Sequence, residues 1–259
     1  MDLRIADRTA LVCASSAGLG LGCARALAEA GARVVLNGRN PERLAAAAAQ
    51  LRADTGAEVR TVVADLSTAD GRALLIAAAP DADILVNNNG GPPPRAFAEL
   101  TADAIRDGVE ANLLTPALLA QALLPGMVAR RWGRIVNITS ASVKMPLPGL
   151  DLSSGARAGL TGLLAGVARE VAHANVTINA LLPGSFDTAR IASLLDAGAR
   201  RNGTTPAEER TRREQGIPAR RLGTPAEFGA ACAFLCSDGA GYITGQSLLI
   251  DGGAFPGLM

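Results

Sequence analysis

The residues best suited to chemistry lie in residues 135–160, IVNITSASVKMPLPGLDLSSGARAGL. A predicted apolar strand, residues 135–139, runs into a loop containing two prolines and then into a helix with apolar residues at helical spacing. Ligands of open α/β sheets bind at the carboxyl ends of strands. The stretch contains no Tyr, His, Cys or Glu. Its candidates for proton chemistry are therefore hydroxyls, Lys144, Asp151 and Arg157.

Two kinds of segment alternate along the chain and predict the fold that positions these residues. Longer Ala- and Leu-rich helical patterns begin at about Leu19, Pro41, Thr68, Thr101, Ser153 and Pro225. Between them lie apolar runs of the kind that parallel strands covered on both faces need, at residues 10–13, 34–36, 59–63, 84–86, 135–138, 176–181 and 248–250. We therefore expect an α/β fold, a doubly wound seven-stranded parallel sheet flanked by helices, in a single domain over residues 1–259.

Composition argues against several classes of function. The formal net charge is +1 with interspersed signs, so nothing favours binding to nucleic acid or to an anionic membrane. By sequence, no apolar run approaches the length needed to cross a bilayer, and the N-terminus lacks a signal-peptide pattern, so we expect a cytoplasmic protein. No metal-ligand spacing is found among the cysteines, so we predict small core residues and no metal site for Cys13, Cys23, Cys232 and Cys236.

The first strand-to-helix turn, CASSAGLGLG from Cys13 to Gly22, is rich in small residues. Such residues let the backbone approach a pyrophosphate, and the free N–H groups of the helix N-terminus then face it. Alone the motif is weak, because a tight turn packed against the sheet would use the same residues. The residues predicted to contact a cofactor here are Ala14, Ser16, Gly18, Leu19 and Gly20.

The ends of the next three strands carry further polar residues. No acidic residue follows the second strand to accept from a ribose 2′-hydroxyl, whereas Arg39 offers a guanidinium for a 2′-phosphate. This favours NADP(H) over NAD(H), although an exposed loop charge is the alternative. The predicted cofactor contacts after the third and fourth strands are Asp65, Leu66, Asn88, Asn89 and Gly90, and the proline run 92–94 is expected to form a wall of the pocket. As an alternative, a cluster of Asx turns would explain these residue types but not their position at the strand ends.

With these motifs in this order, the chain resembles the short-chain dehydrogenase/reductase family, most of all the 3-oxoacyl-[acyl-carrier-protein] reductases. The resemblance covers nearly the whole chain. The matching residues are Gly18 and Gly20 of TGxxxGxG, Asn87, Asn88 and Gly90 of NNAG, Asn112 of the fourth helix, the active-site Ser140, and Pro183, Gly184 and Thr188 of PGxxxT. It implies a Rossmann-type fold, hydride transfer with NADP(H), a homotetramer, a substrate lid at about residues 184–218, and cofactor contacts from Pro183, Gly184 and Thr188.

The chain departs from the family at its YxxxK motif, which falls on Ser153 and Arg157. In the family the Tyr protonates the carbonyl oxygen as hydride arrives, and the Lys lowers the Tyr pKa and holds the nicotinamide ribose. A serine hydroxyl is less acidic than a phenol and ends nearer the backbone. Arg157 can hydrogen-bond a ribose and supply positive charge, but it does not release protons. The departure predicts a site that keeps its binding half and lacks its proton half.

Another residue must then supply the charge or proton. The only His, His173, is expected at a helix C-terminus, and the only Tyr, Tyr242, lies near the end of the chain. The only Lys, Lys144, follows Ser140 by four residues, and a desolvated lysine can act as a general acid or stabilise an alkoxide. Our hypothesis is that Ser140 binds the substrate oxygen and Lys144 supplies the charge or proton. The alternative is that Lys144 faces solvent.

The region after Pro183 bears on the substrate. Ile191, Leu194 and Leu195 suit an apolar substrate body. The arginines of residues 200–213 could attract the phosphate of an acyl carrier protein or CoA, but interleaved glutamates favour a solvated, ion-paired helix. Two functions remain open. One is an NADP(H)-dependent oxidoreductase acting on a ketone or secondary alcohol, with 3-oxoacyl thioesters as candidates. The other is a non-catalytic cofactor sensor or inactive subunit of a mixed oligomer.

Overall fold

Seven strands form one parallel sheet in the order β3-β2-β1-β4-β5-β6-β7. The structure is a computed structural model that describes residues 2–91 and 94–258. The strands are β1 (Thr9–Val12), β2 (Arg33–Gly38), β3 (Val59–Val63), β4 (Ile84–Asn87), β5 (Gly133–Ile138), β6 (Val176–Pro183) and β7 (Ser247–Ile250). Each predicted strand forms, with its ends shifted by no more than two residues. The predicted doubly wound, Rossmann-type sheet is confirmed.

Helices cover both faces of the sheet. They are α1 (Gly18–Glu29), α2 (Pro41–Thr55), α3 (Ala69–Ala78), α4 (Ala102–Val109), α5 (Thr115–Arg130), α6 (Asp151–Val171), α7 (Ala189–Asn202), α8 (Pro206–Gln215) and α9 (Pro225–Leu235). The helical pattern expected from Thr101 contains two helices, because a π-helical turn, Glu110–Leu114, separates α4 from α5. Helix α6 starts two residues before the expected Ser153, with Asp151 in the first turn, where the helix dipole favours an acidic residue.

The continuous helical run Ala102–Arg130 corrects the expectation about apolar length. Its 29 residues are long and apolar enough to cross a membrane by length and composition alone. However, Leu119, Leu123 and Met127 from this run pack into the core beside the sheet. The apolar character of the run therefore has an explanation in the packing of the fold.

Two hydrophobic layers sandwich the sheet, one under α1, α2 and α9 and the other under α3, α5 and α6. All four cysteines lie buried in these layers and none forms a disulfide, which confirms them as small core residues. Burial raises the pKa of the Cys13 thiol to about 12. Among residues 2–91 and 94–258, no group of three His, Cys, Asp or Glu side chains could hold a metal ion.

Helices α1 and α9 cross at unusually close range. A Cβ on Gly229 would lie 2.2 Å from the carbonyl oxygen of Gly22, and a Cβ on Gly22 would lie 2.3 Å from that of Pro225. Only glycine allows the two backbones to approach this closely. The crossing fixes α1, which carries the glycine turn, against α9, which follows the lid region.

Candidate active site

A cleft of about 580 Å³ opens at the carboxyl edge of the sheet. This edge is where the strand order reverses between β1 and β4, and ligands of open α/β sheets bind at such points. The cleft is lined by residues from the first four strand ends and from α4 and α6: Ala14, Ser16, Asn37, Gly38, Arg39, Ala64, Asp65, Leu66, Ser67, Asn89, Gly90, Gly91, Arg95, Ala104, Asp107, Gly108, Ala111 and Leu152. Of the proline run predicted to form a wall of the pocket, Pro92 and Pro93 lie outside the described residues.

The glycine turn leaves no room for side chains at its inner positions. A Cβ on Gly20 would lie 2.5 Å from the carbonyl oxygen of Ala14 and 2.7 Å from Nδ2 of Asn88. Gly18 has a φ of +58°, in the left-handed region that glycine tolerates best. Leu19 is half-buried and packs against the core rather than lining the cleft. The N-cap of α1 makes no side-chain hydrogen bond, so this N-terminus fits a diphosphate.

A buried asparagine that the sequence reasoning missed holds this turn. Asn37, at the end of β2, accepts the Ala14 N–H through Oδ1 (3.2 Å) and donates through Nδ2 to the carbonyls of Val62 and Ala64 (3.2 and 3.1 Å). It thereby ties together the ends of three strands. A polar residue within an apolar strand was the available signal. Ala14 itself has a φ of 44°, which is strained for any residue other than glycine.

Arg39 and Asp65 lie at the outer end of the cleft. The Arg39 side chain is 80% exposed, and its guanidinium lies 3.9 Å from the Asp65 carboxylate. Asp65 accepts hydrogen bonds from the N–H and hydroxyl of Ser67, which lower the carboxyl pKa. Arg39 is thus exposed at the outer end of the cleft and paired at long range with Asp65. Leu66, also predicted, is buried and lines the same cleft.

The loop after β4 presents its backbone to the cleft. The Asn88 amide donates to the carbonyl of Ala14 (3.2 Å), and the Asn89 amide donates to the carbonyl of Ala111. These side-chain donors therefore fasten the loop to the fold instead of pointing at a ligand. From this loop, Asn89, Gly90 and Gly91 line the cleft.

Ser153 and Arg157 form a buried pair at the end of β5. Nε of Arg157 donates to Oγ of Ser153 at 3.0 Å, and the other guanidinium nitrogens donate to the carbonyls of Ile138 (2.6 Å) and Asn89 (3.1 Å). Burial, and secondarily the charge of Arg190, lowers the pKa of Arg157 to about 10. Arg157 therefore keeps its charge at neutral pH and joins β5, α6 and the loop after β4.

Ser140 and Lys144 flank the short 3₁₀ turn Ala141–Val143 after β5. Ser140 is half-buried, and its hydroxyl accepts from the N–H of Ser142 at 3.1 Å. Lys144 is exposed, and its amine makes no hydrogen bond or ion pair within the part of the chain that the structure describes. Ser140 follows Ile138, the residue whose carbonyl accepts from Arg157, by two positions. Lys144 instead faces solvent.

Asn112 occupies the π-helical turn and is 2% exposed. Its Nδ2 donates to the carbonyl of Gly108 at 3.4 Å, whereas its Oδ1 makes no hydrogen bond. Together with Asn87, Arg157 and other residues, it lines an internal polar cavity of about 10 Å³. Asn112 thus lies on the same cavity as Arg157.

Tyr242 and His173 lie away from this edge. Tyr242 is fully exposed in the loop before β7, where Ile243 accepts a hydrogen bond from Asn179 and Gly245 donates to Ile178. This loop is at the amino ends of β6 and β7, opposite the cleft. His173 follows α6, and its Nδ1 lies 2.8 Å from the carbonyl oxygen of Glu170, in agreement with its expected C-terminal position.

The lid region begins where β6 ends at Pro183. A Cβ on Gly184 would lie 2.7 Å from Cβ of Asp251, and Thr188, the N-cap of α7, lies 3.7 Å from the Cβ position of Gly18. Thr188 therefore reaches the glycine turn. A β-bridge between Phe186 and Gly223 joins the two ends of the region.

The charged part of the lid folds as α8. Arg210 lies 2.7 Å from Asp187 and 3.0 Å from Glu214, and Arg212 lies 2.7 Å from Glu209. No residue of α8 is buried. The solvated, ion-paired helix expected for residues 200–213 is therefore found only as α8, because Arg200 and Arg201 belong to the last turn of α7.

The cleft and the glycine turn are typical of α/β folds that bind dinucleotides. Comparison with known proteins shows to which family of this class the chain belongs. A family model described as Enoyl-(Acyl carrier protein) reductase matches residues 13–254. Nodulation protein G of Rhizobium sp. (strain N33) is 36% identical over 96% of this chain and 97% of that protein. The 3-oxoacyl-[acyl-carrier-protein] reductase of Vibrio cholerae is 34% identical over 98% and 99%.

Among solved structures, L-sorbose reductase from Gluconobacter frateurii, complexed with NADPH and L-sorbose, has a TM-score of 0.95 at 29% identity, covering 100% of both chains. The chain therefore belongs to the short-chain dehydrogenase/reductase family of oxidoreductases.

Proposed function

We propose that the protein is an NADP(H)-dependent oxidoreductase that interconverts a ketone and a secondary alcohol with an atypical proton donor. The observation that carries the proposal is the buried Ser153–Arg157 pair, held by carbonyls at the ends of β4 and β5 beside a dinucleotide-sized cleft. It brings a hydroxyl and a fixed positive charge to the edge of the sheet where the family's chemistry takes place.

The cleft suits NADP(H) at each part of its length. The glycine turn fits the diphosphate, Thr188 lies against it, and the exposed Arg39 is available for a 2′-phosphate. The NADPH complex of the similar L-sorbose reductase supports this choice. When bound, the nicotinamide supplies or accepts the hydride.

In the proposed mechanism, the chain stabilises the negative charge that develops on the carbonyl oxygen. Because Ser153 Oγ accepts from Arg157, the hydroxyl proton of Ser153 is free to donate to that oxygen. Ser140 supplies a second hydroxyl, and the buried guanidinium of Arg157 supplies positive charge where water screens it weakly. Asn112 belongs to the same polar interior.

Lys144 is the proposed source of the proton. Its ammonium gives a proton to the alkoxide oxygen and regains one from solvent, which its exposed position allows. This role requires the Lys144 side chain to turn inward when substrate binds, since its amine faces solvent in this structure.

A 3-oxoacyl thioester, carried by acyl carrier protein or CoA, is the proposed substrate. The 34% identity to a 3-oxoacyl-[acyl-carrier-protein] reductase supports this class. Ile191 and Leu194 are half-buried at the start of the lid and could contact an acyl chain, whereas Leu195 is buried. A cytoplasmic homotetramer completes the proposal, and size-exclusion chromatography with light scattering would test the assembly.

Single-turnover oxidation of NADPH tests the proposal. Acetoacetyl-CoA, a diketone and a quinone should be offered to the parent and to Ser140→Ala, Lys144→Ala and Lys144→Arg. We expect Ser140→Ala and Lys144→Ala each to slow the reaction by about 100-fold, the usual contribution of one such group. Lys144→Arg keeps the charge but cannot release a proton, so it separates these two roles. A Lys144→Ala rate equal to the parent's would exclude Lys144.

A non-catalytic role is the second candidate. Two features favour it. Arg157 already donates three hydrogen bonds within the protein. The only tyrosine of the sequence, Tyr242, lies at the opposite edge of the sheet. A sensor or an inactive subunit would bind NADPH tightly and turn over none of the three carbonyl probes. Turnover of any one of them by the parent protein would favour the enzyme.

A further inference from the structure

Arg190, in the first turn of α7, lacks the carboxylate partner that two other lid arginines, Arg210 and Arg212, have. Arg210 and Arg212 each lie within 3.0 Å of a carboxylate, and Arg221, just after the lid, lies 2.6 Å from Glu227. No carboxylate of the described residues lies within 4.0 Å of the Arg190 guanidinium. Its hydrogen bond instead goes to the carbonyl oxygen of Gly91, at 3.3 Å.

The electrostatic setting of Arg190 is unfavourable without a ligand. The Arg190 charge contributes to lowering the pKa of Arg157, so the two cations repel one another. Arg190 also lies at the positive end of the α7 dipole, where a cation is disfavoured, whereas Arg200 and Arg201 lie in the last turn, where one is favoured. A nearby anion would relieve both penalties.

The position of Arg190 indicates which anion. Two residues earlier, Thr188 lies against Gly18 of the glycine turn, on one wall of the site. Gly91, which Arg190 reaches, belongs to the opposite wall, in the loop after β4. The start of α7 therefore connects the two walls, through Thr188 at the glycine turn and through Arg190 at Gly91. A dinucleotide extending from Arg39 towards Arg157 must pass between the same walls, with its diphosphate at the glycine turn.

We propose that Arg190 is a lid residue that binds the diphosphate of the nicotinamide cofactor and holds α7 over it. This inference rests on the proposed function. The guanidinium exchanges its contact with the Gly91 carbonyl for the phosphate oxygens, which are stronger, charged acceptors. The diphosphate is common to NADPH and NADH, so Arg190 supports binding of both. Arg39, by contrast, discriminates between them.

Equilibrium and stopped-flow binding, followed by the fluorescence of the reduced nicotinamide, test this role without any carbonyl substrate. For Arg190→Gln we expect the Kd values of NADPH and NADH both to rise about tenfold, the effect of losing one charge-assisted contact, mainly through faster dissociation. The ratio of the two Kd values should stay unchanged. Arg190→Lys, which keeps the charge without the planar fork, should lie between the parent and Arg190→Gln.

Two matched variants complete the experiment. Arg201→Gln removes a cation from the far end of the same helix and should leave both Kd values unchanged, whereas Arg39→Gln should weaken NADPH alone. Unchanged Kd values for Arg190→Gln would overturn the inference and point to another anion, such as a substrate carboxylate. An effect on NADPH alone would also overturn it. Failure of the parent to bind either dinucleotide would overturn the proposed function as well.

Discussion

The two halves of the candidate site differ in what holds them together. At the glycine turn, Gly20 packs against Ala14 and Asn88 and leaves no space for a side chain. At the end of β5, where the resemblance predicts the family's Tyr and Lys, the chain has Ser153 and Arg157, and this pair is buried and hydrogen-bonded to the fold. Cofactor geometry and proton chemistry are thus separable properties of one scaffold.

Restoring the family pair gives the largest expected effect. The double variant Ser153→Tyr/Arg157→Lys puts a phenol and an amine at the end of β5. If the cofactor half is intact, carbonyl reduction should rise by about 100-fold or more, the contribution of a positioned general acid. Single-turnover rates on acetoacetyl-CoA measure this. Ser153→Phe/Arg157→Lys, which lacks only the phenolic oxygen, is the control, and an equal gain in both variants would contradict the reasoning.

Gly20→Ala tests the cofactor half directly. The added Cβ would meet the Ala14 carbonyl, so we expect a loss of about 3 kcal/mol in the free energy of unfolding, at the upper end for overpacking. NADPH binding should weaken in parallel. Gly166→Ala, in α6 with no atom within 4 Å, is the matched control and should be neutral or stabilising by up to about 1 kcal/mol. Urea denaturation measures both, and equal stabilities would refute the packing argument.

The variant Arg157→Met tests whether the Ser153–Arg157 pair at the end of β5 also stabilises the fold. The substitution leaves the carbonyls of Ile138 and Asn89 without these partners, which should cost about 2 kcal/mol. Thermal unfolding would report the loss. Arg169→Met, farther along the same helix, is the control, and a similar melting temperature for the two variants would mean that Arg157 is not needed for stability.

Ala14→Gly carries the smallest expected effect. Relief of the left-handed conformation at Ala14 is partly offset by the extra freedom of glycine in the unfolded chain, so we expect a gain of about 0.5 kcal/mol. Ala45→Gly, at an exposed position inside α2, should instead be destabilising by about 1 kcal/mol. Denaturation midpoints compare the two, and a loss at Ala14 would show that its conformation carries no strain.

The sheet was predictable from sequence because each buried parallel strand is a short apolar run and most helices carry a helical period. The glycine turn was predictable because a run of small residues directly follows the first strand. The partners of Asn88, Asn89 and Arg157 were not, because each binds a carbonyl distant in sequence. The π-helical turn around Asn112 was missed since its residues continue the helical pattern on either side.

The bridge between Phe186 and Gly223 has a consequence for how the lid can change. Its strand-like hydrogen bonds close residues 187–222 into a loop whose ends are fixed by the fold. For such a loop, doubling the length costs only about 0.6 kcal/mol in closure entropy. Segments of different length and composition can therefore be exchanged between these anchors at little thermodynamic cost, so this part of the chain can change without disturbing the sheet.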